Sequence, residues 1–146
     1  MAVVLSDVTI GADLPSRSFG IERASMVRYA GASGDFNPIH WSEQIATGVG
    51  LPNVIAHGML TMAIAARVVT DWIGDPGAVV EYGVRFTRPV VVPHDAGATL
   101  DVAGKVRAVN HDTGTVVVDL TASVSGQTVL AKSRMTVRVR SAAQGW

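Results

Sequence analysis

His57-Gly58-Met59-Leu60-Thr61-Met62-Ala63-Ile64-Ala65-Ala66-Arg67-Val68-Val69-Thr70-Asp71-Trp72-Ile73 reads as a long helix. After the opening His57-Gly58, it is apolar on nearly all sides, interrupted only by Thr61, Arg67, Thr70 and Asp71, which predicts a largely buried helix. Gly74-Asp75-Pro76-Gly77 supplies the stop. From residue 78 the texture changes. Residues 79–87, 99–109, 115–125 and 129–140 are rich in valine and threonine with rough alternation, the pattern of half-buried strands. Asn110-His111-Asp112-Thr113-Gly114 and Ser125-Gly126 read as hairpin connections. A long helix followed by strands joined through local hairpins implies an α+β domain with an antiparallel sheet.

Upstream of the helix, residues 16–21 form a plausible first strand. Residues 22–32 follow as a short amphipathic helix, with Met26, Val27 and Tyr29 as candidate core. Residues 42–46 add a helical turn, and a loop through Gly48, Gly50, Leu51 and Pro52 leads into the long helix. No repeat or low-complexity region divides the 146 residues, so one domain is expected, with 141–146 as a loose tail.

The chemistry is concentrated in Gly34-Asp35-Phe36-Asn37-Pro38-Ile39-His40. Pro38 disfavours a helical backbone at Asn37, so Asp35 and His40 are displayed from an irregular turn and converge on one small volume. A carboxylate beside an imidazole can hold a water between them, one group taking a proton while the other supplies one. Gly, Asp, Asn and Pro are also ordinary turn formers, and the segment alone does not distinguish the two readings. At the start of the long helix, Gly58 offers a first-turn N–H with no Cβ to block an approaching oxygen. Such a donor suits a carbonyl oxygen that gains charge in a transition state. The plainer alternatives are close packing at Gly58 and a capping role for His57.

Taken together, Tyr29-Ala30-Gly31-Ala32-Ser33-Gly34-Asp35-Phe36-Asn37-Pro38-Ile39-His40 and Ala56-His57-Gly58-Met59 resemble the signature of the MaoC-like (R)-specific enoyl-thioester hydratases. Within that family they are most similar to the β subunits of actinobacterial (3R)-hydroxyacyl carrier-protein dehydratases. Further stretches carrying the resemblance are Gly74-Asp75-Pro76-Gly77-Ala78-Val79 and Glu81-Tyr82-Gly83-Val84-Arg85-Phe86-Thr87. The resemblance implies a hot-dog fold, in which the sheet wraps the long helix. It also implies a hydro-lyase that interconverts trans-2-enoyl and (3R)-3-hydroxyacyl thioesters of CoA or acyl carrier protein in fatty-acid metabolism. The catalytic roles it implies fall on Asp35 and His40, with Asn37 orienting them by donating from its amide and the Gly58 N–H meeting the thioester oxygen. Substrate-contacting roles fall on Phe36, Pro38, His57, Met59, Met62 and Arg85. No metal or other cofactor is expected. The implied partner is a second hot-dog subunit, identical or related, pairing side by side. A hot-dog thioesterase and a non-catalytic acyl-binding scaffold are the rival readings, and the intact Asp35 and His40 favour the hydratase.

Composition narrows the remaining classes. Lys plus Arg and Asp plus Glu are 12 each, a formal net charge of zero that lacks the basic footprint of a nucleic-acid binder. The absence of cysteine removes disulfides, thiolate catalysis and Cys-based metal sites. Residues 1–10 lack a basic segment followed by a long apolar core, and no apolar run is long enough to span a bilayer, so a cytoplasmic protein is expected. Gly48-Val49-Gly50 lacks the third glycine and the preceding strand of a dinucleotide site. No Gly-x-Ser-x-Gly is present, and His40, His57, His94 and His111 show no metal-ligand spacing. His94 and His111 are expected in solvated turns. Arg85 and Arg88 are placed near a strand end, where solvated charge competes with phosphate recognition.

Overall fold

The computed structural model describes residues 3–140. The main elements are β1 (Arg17–Ile21), α1 (Arg23–Ser33), α2 (Glu43–Gly48), α3 (Gly58–Ile73), β2 (Val79–Phe86), β3 (Ala98–Asn110), β4 (Thr115–Val124) and β5 (Gln127–Arg138). The strands form one antiparallel sheet in the order β1-β3-β4-β5-β2, curled around α3. This is the expected hot-dog fold. The short helix α2 begins at Ser42, whose hydroxyl accepts from Ile45 N–H, as a capping serine does.

Alternation in the long strands builds the core. Leu100, Val102 and Val106 of β3, Val116, Val118, Leu120 and Ala122 of β4, and Met135 and Val137 of β5 are buried toward the helix. From α3, Thr61, Ala65, Val68, Val69 and Ile73 meet them. The helix α3 is largely buried, but one side is uncovered. Met59, Ala63, Arg67 and Asp71, spaced one turn apart, form an exposed stripe. A single sheet covers one side of a helix and leaves the other to solvent or to another chain. The expectation for α1 is corrected similarly: Met26 is buried and Tyr29 half-buried, but Val27 is exposed, and Ala30, one turn beyond Met26, takes its place in the core. The tail at 141–146 lies outside the described residues.

The hairpin at Ser125-Gly126 has both residues at positive φ, 49° and 76°, which matches the twist of β4 and β5. His94 and His111 are exposed, as their turn positions predict. No helix among the described residues is long and apolar enough to cross a membrane.

On the outer face of the sheet, Asp119 of β4 accepts from Arg134 of β5 at 2.8 Å and from Arg107 of β3 at 3.1 Å. Burial raises the Asp119 pKa, but the bonds and charges of Arg134 and Arg107 outweigh it, and the net shift is downward. A lowered folded-state value contributes stability that is present above the ordinary carboxylate pKa and lost as pH falls through the folded one. Because the three side chains are well exposed, the contribution is screened. Asp119→Asn is expected to lower Tm by roughly 2–4 °C at most near neutrality. The deficit should close in melts run below the ordinary carboxylate range; an unchanged deficit there would assign it to packing.

Candidate active site

The motif turn is built by nested local hydrogen bonds. Gly34 ends α1 in the left-handed region at φ 75°, its N–H donating to the Ala30 carbonyl. Asp35 Oδ1 then accepts from Asn37 N–H at 3.1 Å, and Asn37 Oδ1 accepts from Ile39 N–H at 3.2 Å. These are two successive Asx turns, the second opening a single 3-10 turn at Pro38–His40. The path therefore reverses within a few residues and turns the His40 ring inward. His40 is 7% exposed, whereas Asp35 remains accessible. Trp41 Nε1–H donates to the Phe36 carbonyl at 3.0 Å and closes the turn from the outside.

A second segment meets this turn. Residues 54–56 run antiparallel to 90–92, with Ala56 N–H donating to the Val90 carbonyl and Val92 N–H to the Val54 carbonyl. Ile55 N–H reaches the Ile39 carbonyl at 3.2 Å, and the Ile55 carbonyl in turn accepts from His40 Nδ1 at 2.7 Å. That bond assigns the tautomer. His40 carries its proton on Nδ1 and presents a bare Nε2, which lies 3.8 Å from Asp35 Oδ2. The separation exceeds a hydrogen bond, and a water or hydroxyl oxygen can be shared between the two atoms.

His57 lies beneath them. It is 1% exposed, its ring stacked on that of His40 with centroids 3.8 Å apart and planes 23° apart. Its Nε2 donates to the Asp35 carbonyl at 3.1 Å, and Tyr29 packs edge-on at 4.8 Å. His57 is also the N-cap residue of α3 but makes no side-chain capping bond. The first intrahelical backbone bond runs from Thr61 N–H to the His57 carbonyl, which leaves the first-turn N–H groups, beginning with exposed Gly58, without intrahelical acceptors. A Cβ built on Gly58 would stand 3.1 Å from the Phe86 ring, so Gly58 allows a close approach from β2 as well.

Several expected roles need correction. His57 is too deeply buried to touch a substrate: its ring stacks on His40, packs edge-on with Tyr29 and bonds the Asp35 backbone through Nε2. Asn37 N–H donates to Asp35 Oδ1 and its side-chain oxygen accepts from Ile39 N–H. Arg85 is exposed on β2 beside Phe86. Phe36 and Met59 are exposed beside the pair at 62% and 58%. Pro38 is half-buried in the turn, and Met62 is half-buried one turn into α3, its carbonyl accepting from Tyr82 at 2.9 Å. Phe86, Tyr29 and Ile55 also belong to the site, and only contacts distant in sequence bring them there.

Asp35, His40 and His57 each offer a possible ligand atom within 4.8 Å of the others. Imidazole binds a metal in its own plane at about 2.0–2.1 Å. Two rings stacked nearly parallel share no such point, so the trio is poorly arranged to hold one ion.

A sheet curled around one helix, with an Asp–His pair at the helix start, defines a hot-dog protein equipped for acid–base chemistry. The chain belongs to the MaoC-like domain family, which matches residues 7–137. It is 41% identical over 83 residues to the 3-hydroxyacyl-thioester dehydratase X of Mycobacterium tuberculosis, covering 57% of this chain and 29% of that protein. It is 33% identical over 87 residues to an (R)-specific enoyl-CoA hydratase of Rhodospirillum rubrum, covering 59% and 60%. A solved MaoC-like dehydratase superposes with a TM-score of 0.92 at 42% identity, covering 95% of this chain and 43% of its own. The chain thus spans less than two thirds of the length of each of these relatives.

Proposed function

We propose that this protein is an (R)-specific hydro-lyase that interconverts trans-2-enoyl and (3R)-3-hydroxyacyl thioesters carried on CoA or acyl carrier protein. The observation that carries this reading is the bare Nε2 of His40 facing Asp35 Oδ2 at 3.8 Å. Hydration requires a nucleophilic water at C3, a proton for C2 and stabilisation of charge on the thioester oxygen. A water held between Asp35 and His40 gives one proton to the pair as its oxygen bonds C3, and the pair passes that proton on to C2. Electron density displaced from the C2–C3 double bond onto the thioester oxygen is met by the Gly58 N–H and the positive end of α3. No step requires a cofactor. The names of the similar dehydratase and hydratase support this reading, and fatty-acid metabolism in the cytoplasm is the proposed setting.

The direct test is incubation with crotonyl-CoA. Loss of the enoyl absorbance without release of thiol is the expected result. Thiol release would instead identify a thioesterase, and neither change would leave an acyl-binding scaffold.

A second subunit is part of the proposal. Among the described residues β2 pairs only with β5, so its other edge is open. Val80 and Phe86 are exposed on β2, at 54% and 50%, alongside the uncovered Met59–Ala63 stripe of α3. A hot-dog chain pairing along β2, either a copy or a related subunit, would cover this apolar strip and enclose an acyl chain. A dimeric mass in solution is expected, together with stronger activity on long acyl chains when a related mate is present. A fully active monomer would rule the pairing out. Equal long-chain activity in a homodimer would dispense with the mate.

A further inference from the structure

We infer that His57 is a positioning residue whose Nε2–H and ring together hold Asp35 and His40 in reacting register. This rests on the hydratase reading above. The plain alternative is that His57 fills space under the motif. Its two nitrogens argue against that. Nδ1 is buried with no hydrogen-bond partner, which costs stability that an apolar ring of similar size would avoid. The imidazole's distinctive contribution is therefore its satisfied atom, the Nε2–H donated to the Asp35 carbonyl across 22 residues of chain.

The contact is well placed to act on the chemistry. Asp35 is accessible and its carboxylate is tethered locally, to Asn37 N–H. The His57 bond is a long-range tie on its backbone. His40 is held through Nδ1 by Ile55, and stacking on His57 limits the tilt of its ring about that bond. Since His57 immediately precedes Gly58, one side chain links the carboxylate, the His40 imidazole and the helix start proposed to meet the thioester oxygen. A displacement of about 1 Å among such groups lowers turnover on the order of 100-fold.

Two substitutions separate positioning from filling because they predict opposite orders. His57→Phe keeps a ring against His40 and loses the donor. His57→Gln keeps an amide N–H near the Nε2 position and loses the ring. Positioning predicts that kcat for crotonyl-CoA hydration falls roughly 10–100-fold in His57→Phe with KM within about three-fold, and that His57→Gln restores most of it. Space filling predicts the reverse order, with His57→Phe near wild type in both kcat and Tm. A His57→Gln enzyme no faster than His57→Phe overturns the inference.

If neither variant folds, the wild-type protein decides by two-bond proton–nitrogen NMR. His57 should be the Nε2–H tautomer and His40 the Nδ1–H tautomer. The opposite tautomer at His57 overturns the inference. A wild-type protein unable to hydrate crotonyl-CoA would strike the proposed function instead, and the tautomer measurement would still judge the His57 contact.

Discussion

Asp35→Asn and His40→Asn are each expected to cut turnover of a short trans-2-enoyl-CoA by roughly 10²–10⁴-fold, the usual reach of general acid–base catalysis. The replacements are chosen to leave the turn standing. Asn at 35 retains an Oδ1 that can accept from Asn37 N–H, so the first Asx turn survives without the carboxylate. Asn at 40 puts its amide nitrogen about where the imidazole Nδ1 lies, preserving a donor for the Ile55 carbonyl while deleting the bare Nε2. Because both groups act on one water, losing either removes the same event. The double variant should be little worse than either single one. Single-variant losses that multiply would point to two independent functions. Near-normal hydration by either variant would remove that residue from the mechanism. Circular dichroism and Tm should accompany the rates, since His40 is buried and stacked on His57 and some loss of stability is expected there.

Much of this architecture could be read from local sequence, and the exceptions share a cause. The start and end of α3, the turns at Asn110–Gly114 and Ser125-Gly126, and the convergence of Asp35 and His40 follow from glycine, proline and hydrophobic period within a few residues. What escaped local reading depends on neighbours far along the chain. The burial of His57 is created by Tyr29, Asp35 and His40, none of which its own segment identifies. Which residues of β2 share a face is obscured by register shifts between Val79 and Glu81 and between Gly83 and Arg85, which break simple alternation along the strand. Val27 suits the apolar face of α1 by composition, but the Met26–Ala30 line faces the core, and only packing geometry selects between them. The exposed side of α3 is illegible for the same reason. An apolar helix surface states that something should cover it, without saying whether that is the chain's own sheet or a second subunit.

At the helix start, Gly58→Pro is expected to reduce turnover by roughly 10²–10³-fold, the typical loss of one oxyanion-hole donor. Proline deletes the N–H and is tolerated in a first helical turn, where that N–H has no intrahelical acceptor. His57 already has φ −57° and ψ 132°, the extended conformation required of a residue before proline, so the backbone needs no rearrangement. The side chain is another matter. A Cβ at 58 meets the Phe86 ring at 3.1 Å, so the ring must yield by a few tenths of an ångström, and part of any loss comes from that displacement. Gly58→Ala isolates it, adding the Cβ while keeping the N–H. If the donor carries the effect, Ala should retain most of kcat while Pro loses it, with similar KM for the two. If crowding of Phe86 carries it, Ala and Pro should fall together and KM should rise in both. A folded Gly58→Pro enzyme with the turnover of Gly58→Ala would end the oxyanion assignment and leave Asp35 and His40 as the sole chemical contribution of these segments.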